Sequence, residues 1–146
     1  MDNYTKAEII IKYMDEIQET IHKRHHEIAK KHNLTVDQFH LMLHLDMKKS
    51  PPTINEMAAA FNISQNTMSE KITRLSQRNL IAKVKDPEDK RISRIQLSTE
   101  GKELVNNICY ESEINFVNSA VTRMEENKID SLLSSLKDLS SKLKEE

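Results

Sequence analysis

The sequence predicts a mainly α-helical fold with one small β-hairpin past its midpoint. Three observations carry that expectation. Apolar residues recur at spacings of three and four through much of the 146-residue chain, the period of an amphipathic helix. Two reciprocal capping signatures, Thr35-x-x-Gln38 and Thr53-x-x-Glu56, mark helix starts. Between them and the C-terminal helices, Ile81 to Leu97 departs from the helical period around Asp86-Pro87, the composition of a turn between strands.

Taken in order, residues 4 to 31 read as a long amphipathic helix, with Ile10, Tyr13, Met14, Ile17, Ile21, His25 and Ile28 as its apolar stripe. A second helix starts at Thr35, where Leu34 at N′ staples Phe39 at N4, and runs to about Lys48. Its Phe39, Leu41, Met42, Leu43 and Leu45 are too many for one face, so burial on several sides is expected. Ser50-Pro51-Pro52 ends it. Thr53 opens a short helix, TINEMAAAF, and Asn62-Ile63 turns the chain into a third helix capped by Ser64, with Ile63 stapled to Met68. Two short helices joined by so tight a turn form a helix-turn-helix, whose second helix is the reader in DNA-binding proteins. Asn79 follows where a left-handed residue is wanted. Ile81 to Lys85 and Arg91 to Leu97 form the hairpin arms, joined by a type I turn at Asp86-Pro87-Glu88-Asp89. Ser98 caps a helix reaching about Ala120. A last helix from Glu125 places Ile129, Leu132, Leu136, Leu139 and Leu143 in a stripe that wants a partner helix.

Composition fits a single domain over residues 1–146. Mean hydropathy is -0.65, and no apolar run approaches a membrane span of about 18 residues. No secretory signal is evident, and a lone cysteine, Cys109, suits a reducing cytoplasm. The net charge of -1 hides a polarity. Thr53 to Ser98 holds eight Lys/Arg against five Asp/Glu, a balance of +3, and the remainder carries -4. Such polarity orients a chain on a polyanion.

On the third helix Met68, Ile72 and Leu75 define the buried face. The opposite side and its flanks present Asn66, Ser69, Glu70, Thr73, Arg74 and Gln77, and the first turn adds Ser64, Gln65 and Thr67. Short amides and hydroxyls suit base edges in a major groove, the helix N-terminus suits a phosphate, and Arg74 and Arg78 suit the DNA backbone. An ordinary polar surface helix has the same periodicity. The hairpin separates the two readings: Lys90 and Arg91 project from its tip, where an Arg enters a minor groove and Asp89 aims the guanidinium outward. A solvated tip with a surface ion pair is the plainer alternative.

The run from Leu34 to Gly101 resembles the MarR family of winged-helix transcriptional regulators. The matching pieces are LTVDQFHLMLHL, TINEMAAAFNISQNTMSEKITRLSQRNLI, DPEDKRISRIQL and LSTEG, with Asp89-Lys90-Arg91 as the Asp-x-Arg element of the wing. The resemblance implies a winged helix-turn-helix lobe over 34–98 and helical dimerisation regions over 1–31 and 99–146. It also implies a homodimer binding double-stranded DNA at a pseudo-palindromic operator, as a ligand-responsive repressor. Recognition-helix residues would be Ser64, Gln65, Asn66, Thr67, Ser69, Glu70, Thr73, Arg74 and Arg78; wing residues would be Asp89, Lys90, Arg91 and Arg94. Three positions depart from the family pattern: Glu70 replaces a basic or small residue, Asn79 the usual Gly, and Ser98 the common Thr. Glu70 either accepts from a cytosine amino group or restrains Arg74.

The resemblance further implies a small aromatic or anionic effector bound between the dimer helices and the DNA-binding lobe. Tyr13, Ile17, Phe39, His40 and Met57 are the candidate lining, with core packing as the alternative for the apolar ones. His22, His25, His26, His32, His40 and His44 include metal-compatible spacings, and some similar regulators sense zinc at this level of the fold. The stretch Cys109 to Glu113 contains no histidine, however, so packed or solvated histidines and no metal or other cofactor are expected. Cys109 reads as a small buried hydrophobe. No nucleophile elbow, metal-protease motif or phosphate loop is present, which argues against an enzyme. A protein-interaction module using only the leucine stripe is the remaining class.

Overall fold

A computed structural model describes residues 1–145. α1 (Asn3–Lys31) leads to α2 (Val36–Asp46), the short α3 (Ile54–Ala60) and α4 (Gln65–Gln77). β1 (Ile81–Lys85) pairs antiparallel with β2 (Ser93–Leu97), in a register running from Ile81 opposite Leu97 to Lys85 opposite Ser93. α5 (Thr99–Cys109) continues through a π-helical segment (Tyr110–Asn115) into α6 (Phe116–Val121), and α7 (Glu126–Lys144) closes the chain.

The helix starts follow the capping chemistry. Thr35 Oγ1 accepts from the Gln38 amide at 3.1 Å, and the Gln38 side chain accepts from the Thr35 amide at 3.1 Å. Thr53 and Glu56 repeat the exchange at 3.1 and 3.3 Å. The helix ends share a second device. Asn33, Asn62 and Asn79 all have positive φ, of 58°, 53° and 57°. Each stands just beyond a helix, and the residue after it donates back to a carbonyl five positions earlier: Leu34 to Ala29, Ile63 to Ala58, Leu80 to Leu75. These are Schellman turns, built with asparagine where glycine is usual. The apolar residue that follows each asparagine then folds back onto the core; Leu34 and Leu80 are buried and Ile63 packs against the core from its edge.

The chain's one glycine has a different task. Gly101 lies in the first turn of α5, and a Cβ there would collide with the carbonyl oxygen of Leu80. That same carbonyl accepts the Ser98 amide at 3.0 Å. The close approach seats α5 against the junction of α4 and β1.

The core is drawn from every element between α1 and α5. Ile28, Phe39, Met42, Met57, Met68, Ile72, Leu75, Ile95, Val105 and Ile108 are all essentially sealed from solvent. α2 stops at Asp46, ahead of the expected Lys48, so Pro51 to Thr53 does not end it and has another task. Pro52 accepts the Ile95 amide at 2.9 Å and Thr53 bridges Arg94, so this segment runs along the outer edge of β2.

The terminal stripes are left open by their own chain, and the hairpin expectations need correction. Of the predicted α1 stripe only His25 and Ile28 are buried; Ile10, Tyr13, Met14 and Ile17 face solvent. Among the described residues, none before His25 or after Ser112 is buried. The α7 stripe is likewise uncovered, with Leu132, Leu136 and Leu143 exposed and Ile129 and Leu139 half-buried. The second hairpin arm begins at Ser93 rather than Arg91. Asp86-Pro87-Glu88-Asp89 is not the backbone-closed turn either. The Asp86 carboxylate accepts the Glu88 and Asp89 amides at 3.1 and 2.9 Å, and the backbone turn closes later, from the Ile92 amide to the Asp89 carbonyl at 3.0 Å. A side chain has replaced the main chain as acceptor.

Two substitutions test these backbone constraints. Asn79→Ala should lower stability by about 1 kcal/mol, the cost of a Cβ without a compensating amide in the left-handed region, whereas Asn79→Gly should match or exceed the parent. Gly101→Ala should cost roughly 1–3 kcal/mol through overpacking against backbone. Urea midpoints at unchanged slope measure both.

Candidate nucleic-acid interface

α4 is oriented by its buried face and its cap. Met68, Ile72 and Leu75 are sealed in the core, and the Ser64 hydroxyl accepts the Thr67 amide at 3.1 Å. Lys71 reaches Asp37 on α2 at 3.4 Å. The solvent side presents Asn66, Ser69, Glu70, Thr73, Arg74 and Gln77 as the walls of one shallow groove. Gln65 is exposed beside it. The hydroxyls are partly committed: Thr67 and Ser64 share a hydrogen bond at 2.8 Å, and Thr73 donates to the Ser69 carbonyl at 2.9 Å. Among the described residues neither Glu70 nor Arg74 has an ion-pair partner. Restraint of Arg74 by Glu70 is therefore not what the helix shows.

Arg78 departs from the expected role. Its guanidinium donates to the carbonyls of Asn33 at 2.8 Å and His32 at 3.2 Å. It caps the C-terminal end of α1, where orphan carbonyls and the negative end of the helix dipole attract a cation. Arg78 thus clips α4 to α1.

The hairpin divides its charges in the same way. Arg94 donates from Nε to Asp86 at 2.6 Å and from NH1 to the Pro51 carbonyl at 3.0 Å, with Glu56 at 3.9 Å. Half turned inward, it fastens β2 to the segment before α3 and is a wing-positioning residue. Asp86, absent from the sequence-level site, is the hub: its carboxylate takes Arg94 as well as the two turn amides. The Arg94 guanidinium and those amides hold the Asp86 carboxyl below the usual carboxylate range. At the tip, Asp89 grips Arg91 through two parallel bonds, Nε to Oδ1 and NH2 to Oδ2, both 3.1 Å. The Arg91 side chain is nonetheless 91% exposed. This pair matches the expected geometry, a guanidinium aimed outward by its neighbour, and the Arg91 contact lowers the Asp89 pKa. Lys90 is exposed beside it.

The five candidate cleft residues do not line one cleft. Phe39 and Met57 are sealed in the core. Tyr13 and Ile17 line a groove between α1 and α6, together with Ile21, Phe116, Val117 and Arg123. His40 stands elsewhere, its Nε2 3.4 Å from that of His26. The sequence offered no sign of this division, because helical spacing does not say which of two apolar faces meets the core.

The other histidines separate likewise. His44 lies edge-on to Phe61 with ring centroids 5.3 Å apart. His25 is buried, and its Nε2 lies 2.9 Å from Oε1 of Glu113 in the π-helical segment. Burial lowers the His25 pKa more than Glu113 raises it, so this is a hydrogen bond of a neutral imidazole. Cys109 is half-buried rather than sealed, and desolvation pushes its thiol up to about 11.

Comparison with known proteins adds family and fold. The model of a family described as transcriptional regulator SarA/Rot matches residues 23–108, more than half of the chain. The uncharacterized HTH-type transcriptional regulator YsmB of Bacillus subtilis is 28% identical over 99 residues, covering 68% of this chain and 67% of that protein. A multiple antibiotic-resistance repressor (MarR) from Listeria monocytogenes superposes with a TM-score of 0.85 at 16% identity, covering 100% of both chains. A transcriptional regulator from Thermotoga maritima gives 0.86 at 17% identity, over 94% of this chain and 96% of the other. A mutant MepR of S. aureus, bound to an oligodeoxyribonucleotide, gives 0.67 at 20% identity, over 98% and 99%. These likenesses establish the fold.

The wing hub has a pH signature. Because the folded Asp86 pKa lies below the unfolded one, its contribution is complete above the ordinary carboxylate range and lost as pH falls through the folded value. Protection of the Glu88 and Asp89 amides, taken against their intrinsic exchange rates at each pH, should fall there, and should already be lost at neutral pH in Asp86→Ala. Unchanged exchange in that variant would remove Asp86 as the hub.

Proposed function

The chain belongs to the SarA/Rot family of transcriptional regulators, proteins whose role is not enzymatic, and from that premise we propose a homodimeric, sequence-specific double-stranded DNA-binding repressor acting in the cytoplasm. The observation that carries the reading is the paired presentation of α4 and Arg91. One is a rigid polar helix face, the other a guanidinium held outward at a hairpin tip.

In this reading α4 enters the major groove. Gln65, Asn66, Ser69, Glu70 and Thr73 meet base edges, and the amides of its first turn, with Ser64 and Thr67, meet a phosphate. Arg74 and Lys90 neutralise the backbone, and Arg91 enters the adjacent minor groove. Arg78 and Arg94 act through the elements they fasten. Glu70, free of Arg74, is available to accept from a cytosine amino group, which makes it the residue most specific to this protein's operator.

The uncovered stripes support dimerisation. The outer part of α1 and most of α7 expose Ile10, Met14, Ile17, Leu132, Leu136 and Leu143, apolar surface that the same chain leaves open and a second copy would bury. Two copies present two reading helices, so a pseudo-palindrome with half-sites about 34 Å apart is the matching operator. The α1–α6 groove, with Tyr13 and Phe116 on its walls and Arg123 at its edge, has the chemistry for an aromatic anion as effector. No described helix is long and apolar enough to cross a membrane.

Selection of bound duplexes from a random pool, followed by titration across salt, tests the reading. Affinity should fall steeply with salt. Arg91→Ala should cost about 1–3 kcal/mol of binding and leave the fold intact; parental binding by that variant would remove the wing from the interface. Leu136→Asp should shift sedimentation from dimer to monomer and weaken operator binding with it. A dimer that binds no duplex would instead favour a module for protein interaction alone.

A further inference from the structure

We propose that His25, Cys109 and Glu113 form a binding site for a divalent cation of the Zn²⁺ class, where α1 meets the π-helical segment. An imidazole nitrogen, the thiol sulfur and a carboxylate oxygen lie within 4.8 Å of one another. They come from elements 84 residues and more apart in sequence, so helical spacing did not reveal them. The absence of histidine between Cys109 and Glu113 is no obstacle, since that stretch supplies a sulfur and an oxygen and α1 supplies the nitrogen.

The local backbone serves this arrangement. π-helical turns are rare and concentrate at functional positions. Here one begins directly after Cys109 and carries Glu113 to His25. Ser112, fully buried in the same turn, donates to the carbonyls of Ile108 and Cys109 at 2.6 and 3.4 Å and so satisfies groups near the helix widening. His25 ligates through Nε2 once the proton it shares with Glu113 shifts to Nδ1, so the metal takes the place of that hydrogen bond. Glu113 is 49% exposed, free to swing the short distance that closes a tetrahedral shell with bonds of about 2.0–2.3 Å. A solvent-open groove lined by His22, His25, Glu113 and Ile114 gives the ion its path. A water completes the fourth position.

The donor set selects the ion. Sulfur and imidazole suit Zn²⁺ and Co²⁺, whereas Mg²⁺ and Ca²⁺ demand a shell of oxygens that one carboxylate does not supply. On binding, the Cys109 thiol releases its proton to water and the thiolate coordinates the metal, with no change of oxidation state. The His25 ring also packs on Phe39 of α2, with centroids 5.6 Å apart, so the site lies where α1 joins the DNA-binding lobe. Its existence does not depend on the DNA reading.

Cobalt titration of the chelator-treated full chain tests the site. Cys109 is the only cysteine, so a thiolate-to-cobalt charge-transfer band reports this position alone. One Co²⁺ per chain, that band, the strong visible absorption of four-coordinate cobalt, and bleaching by Zn²⁺ but not Mg²⁺ are expected. Cys109→Ser should remove the band. Loss of an outer-shell partner already weakens metal affinity by about 10–100-fold, so Glu113→Gln should weaken Co²⁺ binding at least tenfold with an unchanged circular dichroism spectrum. Absence of the band in the parent overturns the proposal, as does parental affinity in Glu113→Gln, and either result leaves the cluster a buried histidine–glutamate hydrogen bond beside a packed thiol.

Discussion

Burial of Met68, Ile72 and Leu75 is the constraint on which the presentation of α4 depends. A polar helix face holds a fixed angle to its surroundings only when the opposite face has a single place to go. Each of these side chains is sealed from solvent, and each such burial stabilises by about 1.5–3 kcal/mol against exposure. The turns on either side hold the ends of α4 to the same core. Asn62 and Asn79 take the left-handed conformation that turns Ile63 and Leu80 inward, and Gly101 lets α5 approach the Leu80 carbonyl. The groove of amides, hydroxyls and charges on the outer side of α4 is the consequence of that fit.

Around this frame, arginine is used for two opposite purposes. Arg78 and Arg94 spend their donors on carbonyls and carboxylates of the same chain, joining α4 to α1 and the hairpin to the segment before α3. Arg74 carries no ion pair, and Arg91 is held by Asp89 with its side chain almost fully in solvent. The planar guanidinium fork suits both tasks: it satisfies two converging oxygens, or it is aimed by one carboxylate while keeping other donors free. Net charge therefore describes the interface poorly, because two of these four arginines spend their donors inside the fold.

The ends of the chain follow a different logic from its middle. Residues 28 to 108 contain every buried hydrophobic side chain, and the family match over residues 23–108 covers nearly the same span. The outer turns of α1 and α7 carry regular apolar stripes that their own chain leaves largely open. The α1–π-segment joint, with His25, Cys109 and Glu113, lies at the boundary between these regions, where a bound ion would act on the connection between them.

Much of this architecture was legible in the residues because its causes are local. Capping boxes at Thr35 and Thr53, the cap at Ser64, the left-handed Asn79, the buried stripe of α4 and the Asp89–Arg91 pair each depend on neighbours within a few positions. What the sequence left open depends on contacts across the fold. Arg78 meets Asn33 and His32, Arg94 meets Pro51, and His25 meets Glu113, partners 43 to 88 positions apart. Periodicity also did not say that its own chain leaves the α1 stripe open, or that Met57 is core while Tyr13 is not. An apolar spacing states that a face will be covered, not by which chain or on which side. The sequence by itself determined which segments are helices, where they begin and end, and which polar residues α4 turns outward, since hydrogen bonds and side-chain spacing along the backbone decide these. Only the tertiary structure decided which cations are free, which apolar residues are core and which donors converge on one point, because packing of distant segments decides those.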